Sequence, residues 1–202
     1  MKLSILLTAQ NTIDTFNQCI FSILESYKKI NGLDLEILIY NRLDNLTLIS
    51  KDNIDITYYE GKNYNFTTDF EFHGFLFEKA SGDFVYIIDD DMIVLEDFFE
   101  SILSFLISYD IIIFKYLNNT INFNNLNFNR NFPLANDKNI FQKRLTNKNL
   151  FLINQVIFKK TSILKFPDKN FQGTDFDIFK NINGLVKVIN KNLCRFIIND
   201  TI

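Results

Sequence analysis

The chain of 202 residues has room for one domain with a sizeable core. Apolar residues make up 47% and charged residues 22%, an ordinary balance for a globular protein and too apolar for a disordered one. The net charge of −3 supplies no basic face of the kind that holds nucleic acid through its phosphates, so that partner class is set aside.

Cys19 and Cys194 stand far apart, which implies neither a disulfide framework nor a zinc spacing and fits a reducing compartment. The opening residues lack the succession of a signal peptide, so the expectation is a cytoplasmic protein. Its most apolar window, residues 98–117, is interrupted by Glu100, Asp110 and Lys115. That predicts no transmembrane segment.

In chain order, residues 3–7 form an apolar run followed by the polar stretch Thr8-Ala9-Gln10-Asn11-Thr12. Ile13, Phe16, Ile20, Ile23, Leu24 and Tyr27 then recur at helical spacing, and Asn31-Gly32 supplies a stop. Residues 35–40 read as a strand ending at Asn41-Arg42, and residues 54–59 as another that stops at Glu60-Gly61. Thr68 followed by Glu71 has the spacing of a capping box and opens a helix that runs to Ala80. Glu96 and Asp97 open a helix to about residue 108, and residues 111–117 return as a strand. Residues 118–131 hold eight Asn without a period, the composition of a loop. Residues 151–158 are strand-like, and a short helix begins at Lys159. Residues 171–177 precede a helical stretch to residue 182, and residues 185–189 and 193–198 suggest two short strands. Strands alternating with helices at these lengths predict an α/β domain with a single, mostly parallel sheet flanked by helices. No linker divides residues 1–202, so one domain is expected.

The chemistry concentrates in Ala80-Ser81-Gly82-Asp83-Phe84-Val85-Tyr86-Ile87-Ile88-Asp89-Asp90-Asp91. Its apolar middle is continuous, as in a strand covered on both faces, and open α/β sheets bind ligands at the carboxyl ends of such strands. Three adjacent carboxylates there repel one another unless a cation joins them. Asp89 and Asp91, two apart, can face one side of an extended chain and leave Asp90 to face elsewhere. Two oxygen ligands plus substrate phosphates suit Mg²⁺ or Mn²⁺. The plainer alternative is a solvated acidic turn ahead of a helix.

In this order the features resemble a family-2 glycosyltransferase with the glycosyltransferase A fold, across the whole chain but most strongly up to about residue 100. The resemblance rests on Ser4-Ile5-Leu6-Leu7-Thr8-Ala9-Gln10-Asn11 as opening strand and nucleotide loop, and on Ala80 to Val85 as the lead into the metal strand. Asp89-Asp90-Asp91 stands as the Asp-x-Asp motif, and Gly173-Thr174-Asp175 as a later acidic motif. It implies transfer of a sugar, with inversion, from a nucleotide-diphosphate donor to a saccharide or lipid-linked saccharide acceptor, in bacterial surface polysaccharide synthesis, and allows a peripheral place at the inner face of the membrane. It also implies that residues 1–117 form the nucleotide-sugar-binding half and residues 118–202 the acceptor-side half. It further implies Mn²⁺ or Mg²⁺ at Asp89 and Asp91, and donor contacts from Thr8, Ala9, Gln10, Asn11, Asn41, His73 and Asp90. Asp175 becomes the candidate base, with Asp177 as fallback and Gly173 and Thr174 beside it on the acceptor side. An N-cap is the alternative role for Asp175, and an ordinary helix position the alternative for His73.

The chain departs from the family pattern in three places: Asn41 replaces the usual acid after the second strand, Thr8 a Pro, and Thr174 a Glu. Two further readings stay open. One is a non-catalytic nucleotide-sugar or glycan-binding domain. The other is a nucleotidyltransferase, against which the first loop offers neither Gly nor a basic residue.

Overall fold

The structure, a computed structural model, describes residues 1–66, 68–117, 153–163 and 184–197. In chain order the elements are β1 (Lys2–Ala9), α1 (Ile13–Tyr27), β2 (Asp34–Asn41), β3 (Asp55–Glu60), α2 (Asp69–Lys79), β4 (Phe84–Asp89), β5 (Met92–Val94), α3 (Phe98–Leu106), β6 (Ile111–Leu117), β7 (Val156–Lys159) and β8 (Val186–Phe196). The eight described strands make one sheet in the order β3-β2-β1-β4-β7-β6-β8-β5.

Successive residues of a strand point to opposite faces, and both faces of this sheet are covered. Leu3, Ile5 and Leu7 of β1, with Ile37 and Ile39 of β2 and Tyr86 and Ile88 of β4, meet Phe16, Ile20 and Ile23 of α1 and Phe98, Phe99 and Ile102 of α3. Leu6, Leu38, Tyr40, Val85 and Ile87 look the other way, onto Phe72 and Leu76 of α2. This is why the strands read as unbroken apolar runs. The two buried polar residues of β1 on the α2 face, Ser4 and Thr8, each find a partner.

Ser4 belongs to a latch at the amino end of the sheet. The Glu36 carboxylate, 4% exposed, accepts hydrogen bonds from the hydroxyls of Ser4 and Ser81 and from the Ser81 backbone N–H, and pairs with Lys2. Ser4 Oγ in turn accepts from Gly82 N at 2.8 Å. A Cβ at Gly82 would lie 2.5 Å from that hydroxyl, so glycine is what lets the chain enter β4 against β1.

The predicted starts of α1 and α2 occur. Thr12 caps α1 in a reciprocal box with Thr15, and Thr68 does so for α2 with Glu71.

The sheet is more mixed than the sequence suggests. β3, β2, β1 and β4 are parallel, but β7 runs antiparallel between β4 and β6, and β5 is antiparallel to β8. β5 lies in a segment read as connection, because three residues carry no period. The two C-terminal strand candidates are one strand, β8, whose pairing with β6 shifts register between Phe114 and Tyr116. Residues 153–155 and 160–162 are single 3₁₀ turns on either side of β7, which shortens the expected strand there. The Asn-rich stretch 118–131 and the helical stretch to residue 182 lie outside the described residues.

Candidate active site at the carboxyl edge of the sheet

Parallel register brings four strand ends into one row. Thr8 pairs with Asp89, Ala9 with Asn41 and Asn41 with Glu60. At one strand spacing of about 4.8 Å, the row from β4 to β3 spans roughly 14 Å. Its two ends are chemically different.

At the β4 end the chain leaves the strand after Asp89 and turns at Asp90 and Asp91 into β5. The alternation expected of an extended chain therefore stops at Asp89. Asp90, 0% exposed, is turned onto the β1–α1 loop. Its Oδ2 accepts the backbone N–H groups of Gln10 and Asn11, both at 2.9 Å, and its Oδ1 accepts the Asn11 side-chain amide. Of the donor contacts expected from sequence, Gln10, Asn11 and Asp90 are thus bound to one another, with Asp90 holding the loop rather than pointing out of it.

Asp91 differs. Its Oδ1 is buried and has no hydrogen-bond partner among the described residues. Burial, and then the charge of Asp90, raise its carboxyl above the usual carboxylate value. An anion in that position lacks a compensating group, and a hard divalent cation is the group its chemistry fits. No cluster of three or more His, Cys, Asp or Glu suited to a metal occurs among the described residues. Two carboxylates completed by ligand phosphates, rather than a protein cage, is the arrangement these residues can offer.

The turn is tied from behind at helical spacing. Cys19 Sγ donates to Asp89 O at 3.6 Å, Ser22 Oγ accepts from Val94 N at 3.1 Å, and Ser26 Oγ donates to Glu96 O at 3.1 Å. Ile197 N reaches Asp91 O at 2.6 Å, and Leu95 N reaches Leu193 O at 2.8 Å. Burial, reinforced by the three aspartates, pushes the Cys19 thiol well up, which leaves it a packing group rather than a nucleophile.

Beneath the loop, His73 of α2 is 5% exposed, and its Nε2 lies 3.4 Å from Thr8 Oγ1. Burial lowers its pKa to about 3, so the ring is neutral in the unliganded chain. Ala9 is fully buried and contributes backbone alone: its carbonyl accepts from Arg42 N at 2.8 Å.

At the β3 end the Asn41 amide is committed within the chain. Its Nδ2 donates to both Glu60 oxygens at 3.2 Å, and its Oδ1 accepts from Leu43 N at 2.9 Å. Beside the pair opens a cavity of about 380 Å³, lined among others by Arg42, Asp44, Leu46, Glu60 and Lys62, within the ordinary ~300–1,000 Å³ of small-molecule sites. Glu60 is the residue that sequence reading passed over as a strand stop. The available signal was a carboxylate at the carboxyl end of a strand next to β2. Gly173, Thr174, Asp175 and Asp177 lie outside the described residues.

Sheet order and edge together define the glycosyltransferase A fold. Solved structures that share it include S. aureus TarS 1–349, with a TM-score of 0.62 and 14% identity over 97% of this chain, and the same protein in complex with UDP-GlcNAc, at 0.63 and 15% over 96%. Glucosyl-3-phosphoglycerate synthase from Mycobacterium tuberculosis, in complex with Mg²⁺ and UDP, follows at 0.55 and 15% over 96%. Identities this low speak to fold alone. The chain spans 60% of the TarS 1–349 chain and 71% of the synthase. No protein-family model and no curated protein matches the sequence. Among the described residues no helix is long and apolar enough to cross a membrane.

Proposed function

We propose that this chain is a nucleotide-sugar-dependent glycosyltransferase, moving a sugar with inversion from a nucleoside-diphosphate donor to the hydroxyl of a saccharide or lipid-linked saccharide. The observation that carries the reading is Asp91 Oδ1, a buried, unpartnered carboxylate oxygen one residue from the carboxylate that holds the β1–α1 loop. Neighbours of the same fold in complex with UDP, UDP-GlcNAc and Mg²⁺ or Mn²⁺ support it.

Asp91, with Asp89, would hold Mn²⁺ or Mg²⁺. When bound, such a cation offsets the negative charge that gathers on the leaving diphosphate. Asp90 keeps the loop in register for the donor, and the 14 Å row of strand ends, estimated above from strand spacing, offers the length a nucleoside diphosphate needs. Asp175 is proposed as the base that takes the proton from the acceptor hydroxyl as it attacks the anomeric carbon. The polysaccharide role and a place at the inner membrane face belong to the same proposal. A bifunctional IspDF from Campylobacter jejuni also shares the fold, at TM-score 0.51. Nucleotidyl transfer is disfavoured by the loop Thr8-Ala9-Gln10-Asn11-Thr12, which has no glycine or cation for a triphosphate.

Thermal denaturation with UDP and MnCl₂, together with turnover across a donor panel, tests the reading. The expected result is a rise in melting temperature that needs both components and is lost in Asp91→Asn, with turnover falling about a hundredfold or more in Asp175→Asn. No rise with any nucleoside diphosphate would overturn the reading, and binding without turnover would favour a non-catalytic module.

A further inference from the structure

Among the described residues two buried side-chain polar atoms have no hydrogen-bond partner, Asp91 Oδ1 and Asn154 Oδ1. A cation suits the first. The second is a neutral amide oxygen, which also costs stability when it is buried without a donor. Asn154 is 4% exposed and lies in the 3₁₀ turn of residues 153–155 that leads into β7 and packs against β4 and β6. β7 runs antiparallel to β4, with Lys159 opposite Phe84, Phe158 opposite Val85 and Ile157 opposite Tyr86. The same count carried to the head of β7 sets Asn154 level with Asp89, at the carboxyl end of β4 and on its far side from Thr8. Two bonds fix the turn there. Tyr86 Oη donates to Asn154 O at 3.0 Å, and Gln155 Nε2 donates to Phe114 O at 3.2 Å. Gln155 thus reaches toward β6, while Asn154 keeps a free acceptor beside the strand that carries the aspartates.

We infer that Asn154 supplies, through Oδ1, a third protein oxygen to the divalent cation of Asp89 and Asp91. The inference rests on the cation reading given above. No third carboxylate, imidazole or thiolate completes a metal cluster among the described residues, and a carbonyl oxygen is a ligand type that suits Mg²⁺ and Mn²⁺. Its neutrality matters. Asp89 and Asp91 already match the two charges of the ion, and a nucleoside diphosphate brings more negative charge, so a further anion would be repelled by both. An amide oxygen adds a bond without adding charge. Three protein oxygens still leave part of the shell to phosphate and water, as Mg²⁺ prefers.

The test is a titration of the whole chain with MnCl₂ in the presence of UDP, read from the EPR signal of the unbound ion, on the natural chain, Asn154→Leu and Asn154→Cys. Asn154→Leu should bind Mn²⁺ about tenfold or more weakly, at least the scale of losing an outer partner of a metal. Its metal-free melting temperature should hold or rise, because an unpaired acceptor has been removed. Asn154→Cys should likewise lose Mn²⁺ and gain Cd²⁺, with a cadmium–thiolate absorption band that the natural chain lacks, since a thiolate prefers the softer ion. Unchanged Mn²⁺ affinity in Asn154→Leu, or the absence of that band in Asn154→Cys, would overturn the assignment of Asn154 and leave the cation reading standing. Should Asn154→Leu not fold, Asn154→Cys decides alone. Failure of the natural chain to bind Mn²⁺ with UDP or any other nucleoside diphosphate would remove the cation reading itself.

Discussion

Asn11 grips Asp90 twice, once through its backbone N–H and once through its side-chain amide, one bond to each carboxylate oxygen. Gln10 adds a third bond through its own N–H. The loop between β1 and α1 thus takes its shape from a side chain about eighty residues further along the chain.

Asp90→Asn should be costly despite its identical shape. An NH₂ group would replace one of two oxygens that now face only donors, leaving a buried N–H without an acceptor. A loss of about 2–3 kcal/mol is expected, measured by urea denaturation, together with weaker binding of any nucleoside diphosphate. Unchanged stability would mean that the loop holds its form unaided.

Asp91→Asn should act in the opposite sense on the unliganded chain. It removes a desolvated charge that repels Asp90, so the urea midpoint without metal should hold or rise. A marked fall would show that the Asp91 carboxylate already has a partner holding the fold, and the fit to a cation would be lost.

Glu36 gives the stability a defined acid limb. Burial pushes its carboxyl up, but hydrogen bonds from Ser4 and Ser81 and contact with Lys2 outweigh this and hold it below the usual carboxylate value. A group whose folded value is depressed stabilises fully above its unfolded value, near 4.3, and that contribution disappears as pH falls through the folded value. Glu36→Gln should flatten the urea midpoint below about pH 4.3 and cost about 1–3 kcal/mol at neutral pH.

His73 works over a higher window. Its folded value of about 3 lies below the unfolded value near 6.5, so the unfolded chain takes up the proton first. Stability is complete above pH 6.5 and declines by at most about 1.4 kcal/mol per pH unit below it. As the chain has one histidine, its ring resonance in a proton NMR titration is unambiguous. It should stay flat from pH 8 to 5, and a midpoint near 6.5 would place the ring in water.

What could be read from the sequence was what is local. The start of α2 lies in Thr68 and its partner three residues on, α1 in its helical spacing, and the apolar runs of β1, β2 and β4 report coverage on both faces. What escaped depends on distant partners. β5 is three residues that become a strand because β8 lies beside them. β8 looks like two strands because Asn190-Lys191-Asn192 interrupts its apolar pattern, an interruption that a register shift absorbs. Asp89 to Asp91 were recognisable as a group, but their division of labour was not, since it follows from a turn and from the loop that meets it.

The backbone of Asp91 is secured by Ile197, and β5 by the last described strand. A polypeptide cut short before residue 186 therefore retains the apolar layers around β1 and β2 and the ties from α1, yet loses the backbone bonds that hold the acidic turn from its other side. On the ribosome, the layers around β1 and β2 would be synthesised well before the strand that closes this turn from its other side.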